Sequence, residues 1–411
     1  MYNQRTPKRR SYGGFKRNGA FGNSKRKFRG NSSRFSSKNG RSRMPKLDIS
    51  SFINKAASSR VPEKVFIPEN SLKDLELNST LLKAVEQRGY RQLTPIQDKI
   101  IPFVLKGKDV VGLANTGTGK TAAFLIPLVE KVLKSSHEQI LIVTPTRELA
   151  LQIEQELKSI TRQMNIQSVT CIGGERLWLQ AKKLRYKNNF IIGTPGRLID
   201  LVDRKKLKLN IINTVVLDEA DRMFDMGFVN DIRLLMTYAS EERQTLCFAA
   251  TMSKKIEALI NDFLKNPSTV SVKTSEIPRN IDQDIVQVRN LNKADVLYDL
   301  LQKNEFKKVL VFGRTKRGVE NLTRTLTGFG LKVESIHGDR TQGQRKKALT
   351  SFKDSRVQVL VATDVAARGI HVKDITHVIN YELPETYDDY IHRIGRTGRG
   401  TKQGKALTFV N

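Results

Sequence analysis

Short apolar runs recur along this chain without polar alternation. They cover residues 109–113, 140–143, 190–193, 214–217 and 245–250, then 308–312, 357–362, 377–380 and 406–410. The stretches between them repeat their apolar positions at helical spacing. Apolar, β-branched runs alternating with amphipathic helices predict parallel strands covered on both faces. The two series therefore predict two α/β domains. Between them, residues 273–284 (KTSEIPRNIDQD) are polar, carry Pro278 and offer no apolar face, which predicts a linker. The longest apolar run, residues 122–129, falls far short of the ~18 residues that span a bilayer.

Composition changes the picture at the N-terminus. Residues 1–46 hold 15 Lys or Arg, no acid, and no Ile, Leu or Val. Such a segment cannot bury enough surface to offset its ordering entropy, so a disordered basic tail is predicted. Tyr2, Tyr12, Phe15, Phe21, Phe28 and Phe35 alternate there with Arg, Lys, Gly and Ser. That mixture suits stacking on unpaired bases while cations track phosphates; a solvated solubility tail fits the same composition. A transit peptide would need an apolar face that the tail has no aliphatics to make. The expected boundaries are a tail over 1–62, a first domain over 63–275, a linker over 276–284 and a second domain over 285–411.

The whole chain carries 72 Lys plus Arg against 41 Asp plus Glu, a net charge of +31 over 411 residues. That excess favours a polyanionic partner, nucleic acid ahead of a membrane surface. Cys171 and Cys247 provide neither a disulfide framework nor a metal-ligand cluster, so a reducing compartment is the default. Secreted, membrane-spanning and disulfide-stapled classes are excluded.

Candidate chemistry begins at Ala114, Asn115, Thr116, Gly117, Thr118, Gly119, Lys120 and Thr121. The segment follows a predicted strand and opens a predicted helix. Its glycines let backbone N–H groups curl around a phosphate, and the helix N-terminus adds its positive end. Lys120 would reach the β- and γ-phosphates, and Thr121 would join Mg²⁺ coordination. The general P-loop pattern begins with Gly where this chain has Ala114. Asp218, Glu219, Ala220 and Asp221 end the apolar run 214–217. A carboxylate at the C-terminal end of a parallel strand projects into the ligand crevice. Asp218 would hold Mg²⁺ through water and Glu219 would polarise the attacking water; an acidic loop capping a helix is the bland alternative. Further on, His392, Arg393, Gly395, Arg396, Gly398 and Arg399 space their arginines every three residues, as along one face of a helical turn. Guanidinium groups match phosphate geometry, and from a second domain they could act as arginine fingers, worth on the order of 10³–10⁵ in rate. Read alone, the cluster serves equally as a generic phosphate-binding patch.

In this order, over about residues 71–411, these motifs resemble a DEAD-box ATP-dependent RNA helicase of superfamily two. The resemblance implies two tandem RecA-like domains. That family's P-loop begins with Ala, as here. Its adenine-reading element matches Gly89, Tyr90, Thr94, Pro95 and Gln97, and Gln97 would pair with the adenine edge. RNA contacts would come from Pro145, Thr146, Arg147, Gly173, Gly174, Thr194, Pro195, Gly196 and Arg197. In the second domain they would come from Arg314, Thr315, Gly338, Thr363 and Asp364, with His337, Asp339, Gln344 and Arg345 along the same path. Thr194 followed by Pro195 also reads as an N-cap with Pro at the first helical position, a start that offers free N–H groups to a phosphodiester. Gly369, His371, Arg396 and Arg399 would complete the nucleotide side with Arg368, and Asp221, Thr251 and His392 would couple hydrolysis to unwinding.

The implied cofactors are ATP and Mg²⁺. The implied partner is RNA, single strand or duplex, read largely without regard to sequence because backbone contacts carry no base information. Ribonucleoprotein or ribosome-assembly partners, no membrane, a monomeric state and a cytoplasmic location (nuclear in a eukaryote) complete the expectation. No targeting domain is expected after the second domain. Three positions depart from the family pattern: Leu72 where an aromatic usually stacks on adenine, Ala249 for the Ser of Ser-Ala-Thr, and His371 for a ribose-binding Asp. They predict retained RNA-dependent ATPase activity with weaker nucleotide affinity or coupling. A non-enzymatic RNA chaperone and a DNA-directed translocase are the competing classes.

Overall fold

The predicted strands assemble into two parallel sheets. The computed structural model describes residues 49–54, 66–115, 117–272, 280–367, 372, 374–398 and 402–410. The expected site residues Thr116, Arg368, Gly369, His371 and Arg399 lie outside them, as does most of the N-terminal tail.

Domain 1 begins with α1 (Ser79–Gln87) and α2 (Pro95–Leu105), then β1 (Val110–Ala114), α3 (Lys120–Lys134), β2 (Ile140–Val143) and α4 (Arg147–Ile160). It continues with β3 (Ser168–Cys171), α5 (Leu177–Lys183), β4 (Phe190–Gly193), α6 (Pro195–Asp203), β5 (Thr214–Leu217), α7 (Ala220–Asp225) and α8 (Val229–Tyr238). β6 (Gln244–Ala249), α9 (Lys254–Phe263) and β7 (Ser268–Val272) close it. Domain 2 opens with β8 (Ile281–Gln287), α10 (Lys293–Leu301), β9 (Val309–Gly313), α11 (Lys316–Gly328), β10 (Val333–Ile336) and α12 (Gln342–Lys353). It ends with β11 (Val359–Thr363), α13 (Asp364–Ala367), β12 (His377–Asn380), α14 (Tyr387–Ile394) and β13 (Gly404–Val410).

The strand orders are β3-β4-β2-β5-β6-β1-β7 and β10-β11-β9-β12-β13-β8. Side chains of one strand point alternately to opposite faces, so each sheet carries two cores. In β2, Ile140 and Ile142 pack with α3 and α4 while Leu141 and Val143 face the opposite cluster. Helices cover both faces, which is why the central strands read as unbroken apolar runs.

The strands that the apolar pattern missed are β3, β7, β8 and β10, and each is an edge strand. An edge strand has fewer neighbours, so part of its surface stays wet. The side chains of β7 and β8 accordingly mix buried with half-exposed positions, whereas those of β1, β2, β4 and β5 are all buried. This corrects the expected linker of 276–284: residues 281–284 belong to β8, which pairs with β13 from Ile281↔Gly404 onward. The second domain begins there and not at 285.

The expected tail of 1–62 also needs correction. Ile49–Phe52 form a short 3-10 turn, Phe52 is fully buried, and Asn54 bridges Gln283 of β8. This segment carries the first Ile residues of the chain (Ile49, Ile53) beside Phe52, so it has apolar surface to bury where residues 1–46 have none. Among the described residues, no helix is long and apolar enough to cross a membrane.

Candidate active site

The C-terminal edge of the first sheet is divided between two tasks. β1, β6 and β5 are neighbours and end at the P-loop, Ala249–Thr251 and the acidic motif. β2, β4 and β3 are neighbours and end at Thr146, Thr194 and Gly173–Gly174. Residues far apart in sequence thus form two adjoining groups outside the carboxyl ends of the strands, where open α/β sheets bind ligands.

In the first group, Gly119 caps α3 at φ 96°, a left-handed conformation that glycine adopts without strain. A Cβ there would sit 2.5 Å from the Gln97 amide nitrogen. Gln97 is buried; its Nε2 donates to the Gly119 carbonyl at 3.1 Å and its Oε1 accepts from the Thr94 N–H at 3.0 Å. The residue expected to read adenine is therefore turned inward onto the P-loop here, using one of its two N–H groups. Lys120 is buried and donates to the Ala114 carbonyl at 2.7 Å. Thr118 ties the loop by donating to the Asn115 carbonyl at 2.9 Å. A cleft of about 300 Å³ opens beside these groups, lined by Thr94, Gln97, Gly117, Lys120, Thr121 and both Asp218 and Glu219. Leu72 packs into the domain core.

Asp218 is fully enclosed. Burial pushes its carboxyl up to about 7; Lys120 pulls it down and Glu219 pushes it further up. Glu219 follows with φ 52°, a left-handed backbone that costs a non-glycine residue energy and is found at functional sites. Arg222, which the sequence did not single out, holds it: Nη1 donates to Glu219 Oε2 at 3.2 Å, and Nη2 meets His392 Nδ1 of domain 2 at 3.0 Å. Asp221 Oδ2 accepts from the Ala250 and Thr251 N–H groups at 2.8 and 3.1 Å. The expected link from the acidic motif to Thr251 thus exists through backbone. Ala249 itself is buried in the core.

In the second group, Thr146 follows the buried Pro145 and caps α4 by accepting from the Leu149 N–H at 3.3 Å. The Arg147 guanidinium lies against Gly173 and Gly174; a Cβ on Gly174 would stand 2.2 Å from it. Thr194 caps α6 by its backbone with Pro195 at the first position, but its hydroxyl makes no capping hydrogen bond. Gly196 is exposed, and Arg197 donates to Gln180 Oε1 at 2.8 Å.

Domain 2 repeats the arrangement. Arg314–Thr315 and Gly338 follow β9 and β10, and Thr363 ends the neighbouring β11 with Asp364 next. Arg314 is exposed, and its N–H donates to the Glu382 carboxylate. Thr315 caps α11, Gly338 lies beside Lys316, and Thr363 is buried. Asp364, expected on the RNA path, instead has both oxygens on Arg393, at 2.6 and 2.7 Å. Arg393 is buried and also donates to the Glu382 carbonyl at 2.6 Å. The expected single arginine face is therefore not formed. Gly395 ends α14, so Arg393 points to Asp364 while Arg396 lies in the following turn, its Nε 3.3 Å from the His392 carbonyl. Arg396 is buried and lines a cavity of about 750 Å³ between the domains, facing Arg88, Gln152 and Glu156 of domain 1. A second cross-domain contact joins Glu148 to Arg345 at 2.9 Å, both side chains buried.

Comparison with known proteins agrees with this geometry. The family model described as DEAD/DEAH box helicase matches residues 94–259, and that described as helicase conserved C-terminal domain matches 292–401. The chain is 45% identical over 342 residues to the DEAD-box ATP-dependent RNA helicase CshA of Bacillus subtilis, spanning 83% of this chain and 69% of that protein. Among solved structures it resembles Mss116p bound to ssRNA and AMP-PNP, at 30% identity and a TM-score of 0.74 over 83% of this chain and 75% of that one. It also resembles S. cerevisiae Dbp5 bound to RNA and ADP BeF3, at 28% identity and a TM-score of 0.73 over 83% and 89%.

Proposed function

This chain belongs to the DEAD-box family of ATP-dependent RNA helicases, and from that premise we propose that it separates RNA strands locally, by closing its two domains on ATP and one bent strand. The observation that carries the reading is Arg222. One face of its guanidinium holds the Glu219 carboxylate and the other meets His392 across the cleft. The acid that would orient the attacking water is therefore held by a group that senses domain 2. A closed form that accepts only a bent single strand binds that strand better than a duplex. Such differential affinity is what shifts a two-state equilibrium.

Within that scheme the P-loop amides from Asn115 to Gly119 would cradle the phosphates, and Lys120 would leave the Ala114 carbonyl to meet them; Thr116 is expected to join them. Gln97 would read adenine with the amide hydrogen it has to spare, and Gly369 and His371, outside the described residues, would bind the ribose. Arg396, and Arg399 outside the described residues, would bind the γ-phosphate. Thr121 and Asp218 suit Mg²⁺: the pair supplies a hydroxyl and a carboxylate, and this cation keeps several waters and binds through few protein oxygens plus phosphates. Bound there, it would neutralise charge on the β- and γ-phosphates. Arg147, Gly174, Thr194, Gly196, Arg197, Arg314, Thr315, Gly338 and Thr363 would follow the RNA backbone; Asp364 contributes by positioning Arg393.

Backbone contacts of this kind carry no base information, so any structured RNA or ribonucleoprotein, ribosome-assembly particles among them, could serve as substrate. Both halves of the site lie on one chain, which supports action as a monomer, and the cytoplasm supplies ATP and RNA together. The test is ATP hydrolysis with matched single-stranded RNA and DNA, with Lys120→Ala as control. Stimulation by RNA alone, abolished by the substitution, is expected. Equal stimulation by DNA would point to a DNA translocase, and RNA binding without turnover to a chaperone.

A further inference from the structure

Residues 49–54 precede domain 1 in sequence yet lie on domain 2. Phe52 is fully buried there, its ring centroid 4.6 Å from that of Tyr390, within a cluster completed by Ile281, Ile394 and Ala406. Two residues on, Asn54 and Gln283 exchange both backbone hydrogen bonds, at 3.0 and 2.7 Å, on the outer edge of β8. Tyr390 donates to the side-chain oxygen of that same Gln283 at 3.0 Å. A turn, a buried aromatic anchor and a backbone bridge together make a docked segment of chain.

The chain then has to reach domain 1. It is anchored there by the Glu69 and Asn70 N–H groups, which both donate to Asp98 of α2 at 2.9 Å. Residues 55–68 therefore connect a site on domain 2 to one on domain 1, independently of the connection between β7 and β8. Fully extended, that stretch reaches roughly 50 Å, so it permits opening but limits it.

We propose that residues 49–54 are a latch that gives the two helicase domains a second tether and holds them near the closed arrangement. The tether raises the effective concentration of one domain beside the other, as any linker does for two sites it can span. It works from the far side of α14: Tyr390 and Ile394 meet Phe52, while His392 and Arg393 of the same helix face Arg222 and Asp364. The readout below uses the ATPase reading, but the latch does not depend on it.

The experiment compares the full chain with Phe52→Ala, which undocks the latch, and with an insertion of 14 Gly/Ser residues after residue 60, which leaves the docked contacts intact. Doubling a flexible connection weakens closure about threefold where it is the sole tether; with the β7–β8 connection still in place, the insertion should raise the RNA concentration for half-maximal ATPase by up to about that factor. Phe52→Ala should raise it further, with kcat at saturating RNA and ATP unchanged in both. Dyes on introduced surface cysteines, one per domain, should report more separation in both variants. Cys171 and Cys247 are buried and will not compete for label. Unchanged half-saturation and dye distance in both variants overturn the proposal and leave the segment as a cover for β8. A fall in kcat confined to Phe52→Ala overturns it too, in favour of a segment that only positions α14. Loss of RNA-stimulated turnover in the unaltered chain would sink the helicase reading, while the dye distances would still decide the latch.

Discussion

Two arginines cross the cleft, and they do so differently. Arg345 of domain 2 meets the Glu148 carboxylate of domain 1, and among the described residues neither side chain makes a second ion pair. Arg222 of domain 1 already holds Glu219 of its own domain and reaches His392 with its second nitrogen. Opening the cleft therefore strips Arg345 of its counter-charge but leaves Arg222 paired. The first contact sits beside Arg147, on the proposed RNA side. Burial, and then the nearby Arg345 charge, hold the Arg147 guanidinium below its ordinary value. A phosphodiester arriving there would relieve that repulsion, so RNA would favour closure directly. The second contact sits beside the P-loop cleft and, on the proposed function, would transmit the position of domain 2 to Glu219. On that reading one arginine would clamp and the other report.

The comparison can be broken experimentally. Arg222→Ala should have the largest effect, about a hundredfold fall in kcat, the lower range for loss of a positioned acid or base. RNA half-saturation should scarcely move, and a shift there with normal kcat would reverse the two roles. Glu148→Gln should instead raise RNA half-saturation about tenfold at nearly normal kcat. A double-mutant cycle with Arg345→Gln should then show coupling of about 1.4 kcal/mol, the equivalent of that factor; additive effects would dissolve the clamp.

The pH response separates the sides next. The folded protein keeps a proton on Asp218 up to about 7 that an ordinary Asp releases near 3.8. That contribution to stability is complete below the lower value, is lost as pH rises toward the upper one, and is flat beyond it. Nucleotide loading has the opposite sign, because the carboxylate must be ionised to hold a cation. ATP half-saturation should thus rise about tenfold per pH unit below neutrality, by one-proton linkage. Urea midpoints and ATP titrations across the window check both signs. The smallest effect belongs to Ala249→Ser. The Ala250 and Thr251 amides already hold Asp221, so strands unwound per ATP should increase by less than about twofold, the scale of a fraction of one hydrogen bond. No increase would mean that backbone coupling is complete.

What could be read in advance follows from distance along the chain. The P-loop and the acidic motif are local: strand, turn and helix start lie within a dozen residues, and their spacing carries the chemistry. Arg222 was invisible because its second partner is 170 positions away. Glu148–Arg345 was hidden in the same way, inside motifs noted for RNA rather than for each other. Asp364 was misplaced because Arg393, which takes both its oxygens, belongs to a motif assigned to phosphate. Central strands were legible since two covered faces require apolar residues throughout. Edge strands were not, since burial on part of their surface leaves a mixed pattern.

Those edges carry a further meaning. An exposed strand edge is a row of unpaired amides and carbonyls on which another chain can add a strand. β7 reads Ser-Thr-Val-Ser-Val and β10 reads Val-Glu-Ser-Ile, short segments with polar or charged side chains. β8 is longer, and part of its outer edge is occupied by Asn54. Were the basic N-terminus to bind RNA as its composition suggests, copies of the protein would gather on one strand. Polar edges at β7 and β10 and the part-occupied edge of β8 would oppose edge-to-edge pairing between such copies.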